Sequence, residues 1–390
     1  MTRLAAHFSC IVCLGTVLVI VCARFLFIQV DESVRVKKAV KELSTFTNSS
    51  CSKKTTLVFV KVHKAGGTTV YRLLMTFGLR HHLNFVIPQQ TRKNRGHNLG
   101  WPRPLKQGQY LPRIPGEPFH ILTNHVVYNR EALHDVMPNH TVYMAILREP
   151  FSHLKSVMNF YDLPSLYKLP KKNTMKSFLS RPKFYEKRWR RHRKDQPFSY
   201  TNLMSFDMGI DPSSRLDTEY VRGHIKHLDA EFFLVLILEY LDESLVLLKR
   251  YMCWDISDIF YTTMNLMSYD QKIADASEKM RDQHRAWSVA DYMLYEHFNR
   301  TLWRKIRQEG EDFWRELNTF RDMKTRVQEF CETSGRSKSA RTTFEGSPWS
   351  KPFVVDFAFC RLLSKPLPLL RNGVRDAHLE KLHQHKIRVQ

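Results

Sequence analysis

The chain has 390 residues, of which 43% are hydrophobic and 12% aromatic, and its 61 Lys and Arg against 38 Asp and Glu give a formal net charge of +23. That apolar content excludes a disordered chain, and the length fits one large domain with appendages better than a string of small modules. The charge selects anionic partners (phosphates, sulfates, acidic lipids or nucleic acid) and narrows the choice no further.

In chain order, the first feature is Phe8 to Val30, apolar apart from Arg24 and Gln29. At roughly 20 residues it is long enough to cross a bilayer as a helix. It reads as a signal anchor with residues 1–7 as a cytoplasmic tail. A cleaved signal peptide ending near Val21-Cys22-Ala23 is the alternative, but the apolar run resumes at Phe25 to Ile28 and favours the anchor. Flanking charge does not orient it, since Arg3 is outnumbered by Arg24, Arg35, Lys37, Lys38 and Lys41. Residues 31–54 are polar and read as a stem. Everything beyond is then expected to face an oxidising lumen, with Asn48, Asn139 and Asn299 as N-x-S/T acceptors. Outside the apolar segment stand Cys51, Cys253, Cys331 and Cys360. They allow two disulfides in any of three pairings, or free buried thiols.

The folded domain is expected over residues 55–335, with 336–390 as its C-terminal extension. Thr55 to Val62 reads as a buried strand and Thr68 to Phe77 as a helix. Phe119 to Thr123 and Thr141 to Leu147 read as further strands, the latter followed by a helix from about Phe151. Phe232 to Leu238 is another continuous apolar strand, and Leu245 to Met252 a helix behind the acidic Asp242-Glu243-Ser244. Apolar strands alternating with helices predict an α/β fold: a three-layer sandwich around a parallel sheet. Residues 87–118 read as a long surface loop. Residues 168–194 hold twelve Lys or Arg with Phe184, Tyr185 and Trp189 among them. This fits a solvated helix face, or an interface for nucleic acid or sulfated glycan. Residues 286–329 are helical in pattern, and 333–350 polar and loose.

Two short segments carry the chemistry. Lys61-Val62-His63-Lys64-Ala65-Gly66-Gly67-Thr68-Thr69 follows a buried strand and opens a helix, so amides and glycines present an anion site. It is not a Walker A sequence, and nucleotide triphosphate hydrolysis is disfavoured. An ordinary strand-turn-helix connection would also produce it. The second segment is Arg148-Glu149-Pro150, ending a strand, with Ser156 two helical turns on. Together the two loops suit a nucleotide bearing phosphates at both ends.

These residues carry a resemblance. FVKVHKAGGTT (Phe59 to Thr69), TNHVVY (Thr123 to Tyr128), ILREPFSHLKS (Ile146 to Ser156), LVLILEYLDESLVLLKRYMCW (Leu234 to Trp254) and HFNRTLWRKI (His297 to Ile306) occur in family order. The chain resembles the galactose 3-O-sulfotransferases, a family that includes galactosylceramide (cerebroside) sulfotransferase. The resemblance implies a sulfotransferase (P-loop NTPase-like) fold, with 3′-phosphoadenosine 5′-phosphosulfate (PAPS) as sulfate donor. The acceptor would be a terminal galactose on a glycolipid or glycan. It assigns Lys61 to Thr69 to the 5′-phosphosulfate and Arg148 with Ser156 to the 3′-phosphate. The loop departs from its relatives, which often carry Thr or Ser at the positions of Ala65, Gly66 and Gly67.

In-line sulfuryl transfer needs a base on the attacking hydroxyl and a cation on the leaving side. Lys64 suits the leaving side and His125 the base, with His63 the next candidate. No Cys, His or carboxylate spacing reads as a metal site. The expected protein is a single-pass Golgi membrane enzyme with a luminal catalytic domain. The rival readings are a basic nucleic-acid-binding protein, which leaves the sequons and apolar segment unexplained, and a non-catalytic glycan-binding relative.

Overall fold

A computed structural model describes residues 51–90, 98–170, 172–190, 200–262 and 277–389. The anchor expected at 8–30 and the sequon at Asn48 lie outside the described residues, among which no helix is long and apolar enough to cross a membrane. One compact unit spans Lys53–Gln390 and thus includes the C-terminal extension.

The unit opens with β1 (Leu57–Val60), α1 (Gly67–Arg80), β2 (Asn98–Gly100), β3 (Ile121–Leu122), β4 (His125–Val126) and α2 (Arg130–His134). Next come β5 (Val142–Leu147), α3 (Pro150–Phe160), α4 (Leu163–Leu166), α5 (Thr174–Ser180), α6 (Pro182–Arg190), α7 (Leu203–Asp207) and α8 (Thr218–Glu231). Then follow β6 (Phe232–Ile237), α9 (Leu241–Met252), α10 (Glu278–Trp287), α11 (Val289–Gln308) and α12 (Glu311–Glu332). A hairpin, β7 (Arg341–Phe344) with β8 (Phe353–Asp356), leads to α13 (Phe357–Ser364) and α14 (Leu367–Val389).

The central sheet runs in the order β3-β1-β5-β6 and is parallel throughout, with Leu57 opposite Ile121 on one side and Val142 on the other. All four residues of β1 are 0% exposed. Because successive strand side chains point to opposite faces, both faces must be covered, which makes the three-layer α/β sandwich expected from sequence. Parallel strands bring the residues after β1, β3, β5 and β6 to one edge. The chain leaves β1 for β3 on one side and then crosses to β5 on the other, so the crevice for a ligand opens beside β1.

Several expectations need correction. The helix after β6 starts at Leu241, a turn before Leu245, and encloses Asp242 and Glu243 in its first turn, where the helix dipole favours them. The described residues of 87–118 are not a free surface loop: Arg103, Pro104 and Lys106 to Gln109 are exposed, but Ile87, Leu99, Leu105, Leu111 and Ile114 are buried and β2 pairs with β4. Within 333–350, Arg341 to Phe344 pair antiparallel with β8, and the Phe344 and Phe353 rings stack at 5.0 Å. Polar residues on the outer face of that two-stranded ribbon hid it. In the basic cluster, Tyr185 and Trp189 are 6% and 5% exposed and belong to a second core, whereas Phe184 is 52% exposed. The two buried rings are unavailable for base stacking.

The C-terminal segment is fastened to the sheet's helical cover. Arg72 of α1 donates to the carbonyls of Lys365 (2.8 Å) and Leu363 (2.6 Å). A disulfide joins Cys331 of α12 to Cys360 of α13. Cys51 and Cys253 are each engaged in a disulfide as well, so the free-thiol alternative falls.

Candidate active site

The loop after β1 closes on two left-handed residues, Lys64 (φ 58°) and Gly66 (φ 80°). A side chain at Gly66 would bring its Cβ within 2.4 Å of Leu238 Cδ1, and one at Gly67 within 2.9 Å of Lys61 Cγ. The glycines therefore let the loop seat against the end of β6 and fold back on itself. Lys64 holds a conformation costing about 1–2 kcal/mol for a side-chain-bearing residue. Two neighbours hold it there: Arg148 Nη1 donates to the Lys64 carbonyl (3.3 Å) and His153 Nε2 to the His63 carbonyl (2.8 Å). Burial pushes the His153 imidazole down to about 3, so it is a neutral donor. In the first turn of α1 the Thr69 N–H bonds the Gly66 carbonyl (3.1 Å), and the amides ahead of it carry the positive end of the helix dipole, which makes an anion cradle. Ala65 is 0% exposed and supplies only backbone.

Beside the cradle, the His63 and His125 rings stack at 3.9 Å with planes 14° apart. Each is held through Nδ1. His125 Nδ1 lies 2.8 Å from the Lys61 carbonyl, which can only accept, so the proton sits on Nδ1 and the lone pair of the neutral ring on Nε2. His63 presents its backbone N–H (2.7 Å) and Nδ1 (2.8 Å) to Oδ2 of Asp207, a fully buried residue. Trp101 Nε1 donates to Oδ1 (2.8 Å), and its ring lies 4.4 Å from His63. Asp207 is set in turn by α7, whose Ser205 N–H and hydroxyl donate to Asp291 of α11 (2.7 and 2.6 Å).

Three cations converge on the same edge. Lys61 lies under the sheet edge with its ammonium 4.8 Å from the Tyr71 ring centre. Burial, then Arg371 and Lys64, push it down to about 8. Lys64 is lowered by burial and by Arg148, and its ammonium stands 3.7 Å over the ring of Phe160. Arg148 follows β5. Glu149 caps α3 by accepting from the amides of Phe151 (3.0 Å) and Ser152 (2.7 Å), and Pro150 opens the helix. Ser156 sits two turns along that helix, 8% exposed.

The structure thus gathers Lys61, His63, Lys64, Gly66, Gly67, Thr68, Thr69, His125 and Arg148 at one edge of the sheet. Sequence reasoning missed Asp207, Trp101, His153 and Arg371. A lone Asp in TNLMSFDMG carries no local signature, and Arg371 lies beyond every segment that attracted attention. Of the sequons, Asn139 is exposed in the turn before β5, whereas Asn299 is half-buried inside α11 with its Oδ1 sealed from solvent.

Comparison with known proteins gives this edge its context. Residues 1–351 match the family model described as galactose-3-O-sulfotransferase. Galactose-3-O-sulfotransferase 3 of Bos taurus is 32% identical over 311 residues, 77% of this chain and 70% of that protein. Galactose-3-O-sulfotransferase 2 of Homo sapiens is 36% identical over 65% of this chain and 62% of its own length. Galactosylceramide sulfotransferase of Homo sapiens is 29% identical over 77% and 70%. The chain belongs to the galactose-3-O-sulfotransferase family.

Proposed function

We propose that this protein transfers the sulfuryl group of PAPS to the 3-hydroxyl of a terminal β-galactose on a glycolipid or glycoprotein glycan. The observation that carries the reading is the stacked His63 and His125 pair, each ring oriented through Nδ1, standing beside a glycine cradle and the cations Lys61, Lys64 and Arg148.

The cradle fits a phosphosulfate: α1 offers N-terminal amides, and no side chain at Gly66 or Gly67 blocks a close approach. Lys61, Lys64, Thr68 and Thr69 would hold the 5′ end, and Arg148 with Ser156 the 3′-phosphate. In the reaction, the galactose oxygen forms a new bond to sulfur as the bond from sulfur to the phosphate oxygen breaks. His125 Nε2 takes the hydroxyl proton, and Lys64 offsets the charge gathering on the departing phosphate. His125 is the more open of the two imidazoles, since His63 is 9% exposed and turned to Asp207, so His63 positions and His125 accepts. Acceptor range extends to galactosylceramide-like lipids and to N-acetyllactosamine-type termini.

The same proposal places the protein in the Golgi membrane as a single-pass type II enzyme. Its supports are the apolar segment Phe8 to Val30, the exposed sequon at Asn139 and the disulfides, which persist in an oxidising lumen. The test is transfer of labelled sulfate from PAPS by the full-length protein onto galactosylceramide, lactose, N-acetyllactosamine and heparan. Label on the galactose 3-hydroxyl supports the reading. Binding of PAPS without label on any acceptor moves the substrate elsewhere, and failure to bind PAPS overturns the donor.

A further inference from the structure

We propose that the C-terminal helix α14 completes the acceptor site: Arg371 and Arg375, with Tyr71 and Asn124, form a subsite for a negatively charged substituent, a sulfate ester or carboxylate, on the acceptor glycan. The proposal rests on the reaction assigned above and goes beyond it in naming the acceptor's chemistry. A shallow cleft, open to solvent, is lined by these four residues together with Phe85 to Pro88 and Val374. No Asp or Glu is among its described lining residues. Arg375 Nη1 is buried without a hydrogen-bond partner among the described residues, a costly arrangement that a turn of the guanidinium onto a ligand oxygen in the cleft would relieve. Arg371 lies close enough to Lys61 and Tyr71 to act on both electrostatically.

Position separates this cleft from the donor. Asn124 directly precedes His125, and Phe85 to Ile87 run beside β3, with Val86 N–H donating to Ile121 (2.9 Å). The cleft therefore flanks β1 on the β3 side, whereas Arg148 and Ser156 lie on the β5 side. The helix is also fixed in place. Besides the Arg72 contacts to the preceding turn, His378 bonds the Pro112 carbonyl (2.9 Å) and Lys381 donates to Asn84 Oδ1 (2.9 Å). Arg371 and Arg375 lie beyond residue 351, where the match to the family model ends.

The experiment titrates the full-length protein with lactose and with lactoses each bearing one sulfate ester at a different glucose hydroxyl, following intrinsic fluorescence, and then measures sulfate transfer to the same sugars. At least one sulfated lactose is expected to bind about tenfold more tightly than lactose, the gain of one charge-assisted contact, and to show a matching preference in kcat/KM. Arg375→Gln and Arg371→Gln should each erase most of that preference, with Arg375→Lys keeping part of it. Equal binding of all the sugars by the wild-type protein overturns the proposal. So does a rise in donor KM with the acceptor preference intact, which would give the arginines to the donor. Absence of transfer to every sugar falls on the reaction assigned above, while the binding comparison still decides the subsite.

Discussion

Replacing Lys61 by Met should make the protein more stable and unable to turn over efficiently. The ammonium is pushed from 10.5 to about 8 by burial, Arg371 and Lys64. At 1.36 kcal/mol per pH unit, holding it charged in the folded protein costs about 3 kcal/mol. Met matches the length of the stem and fills the same space beside Tyr71 without charge, so Lys61→Met should recover up to about 3 kcal/mol at neutral pH. The sign follows from proton counting. Below pH 8 the folded and unfolded chains both carry the proton and the full penalty is present. Between about 8 and 10.5 the folded chain releases it while the unfolded chain keeps it, so wild-type stability climbs with pH. The gap between variant and wild type is therefore widest at pH 7 and shrinks by about pH 9.5. Urea unfolding at both pH values reads it, and sulfate transfer at pH 7 reads the loss of function. A Lys61→Met protein less stable than wild type at pH 7, or a gap equally wide at high pH, would refute the reasoning.

Other substitutions separate the roles at the site. Lys64→Ala should abolish transfer while nucleotide binding persists, and Arg148→Ala should mainly raise the donor KM; unchanged turnover or an unaltered donor KM removes the respective residue from its role. His125→Ala should lower kcat by about 10²–10⁴, the range for a lost general base, and a pH profile of kcat unchanged in height and shape would exclude it. Gly66→Ala forces a Cβ against Leu238 at a positive φ and should cost about 1–3 kcal/mol in denaturant unfolding; Leu238→Ala in the same chain should recover the steric share alone. Asn139→Gln should remove endoglycosidase-sensitive mass, whereas Asn299→Gln, half-buried within α11 with its Oδ1 sealed from solvent, should leave the mass unchanged.

What the sequence disclosed and what it withheld follow from how far each signal reaches along the chain. The strands around the site were legible because TTLVFVKV, TVYMAIL and FFLVLIL are apolar at consecutive positions, the mark of a sheet covered on both faces. The cradle was legible because two glycines, two lysines and two threonines sit within nine residues. Asp207 was not, because its partners His63 and Trp101 are more than 100 residues away in sequence and its own neighbours are ordinary helix residues. The hairpin at 341–356 was hidden for a different reason: among the residues of β7 only Phe344 is buried, so the alternation that betrays a half-buried strand is reduced to one position. Arg371 and Arg375 sit on a helix of low amphipathic contrast, and only the docking of that helix on α1 gives them a place at the site.

The groups gathered at this edge share an energetic peculiarity. Lys61 and Lys64 are both held below their ordinary range by burial and by neighbouring positive charge, Arg375 buries an N–H without an acceptor among the described residues, and Lys64 occupies a left-handed backbone position. Each of these is unfavourable in the free protein, and an anion relieves the crowded charge and the unmet N–H, though not the backbone strain. The site is therefore destabilising until it is filled, and the deficit has to be made up elsewhere: by β1, every residue of which is excluded from solvent, and by the disulfide that pins α13 to α12. That division explains why the cations need no carboxylate neighbours in the cleft. Internal ion pairs would raise the stability of the empty protein and weaken its hold on a polyanionic donor by the same free energy, because a ligand binds only through the difference between the filled and the empty state.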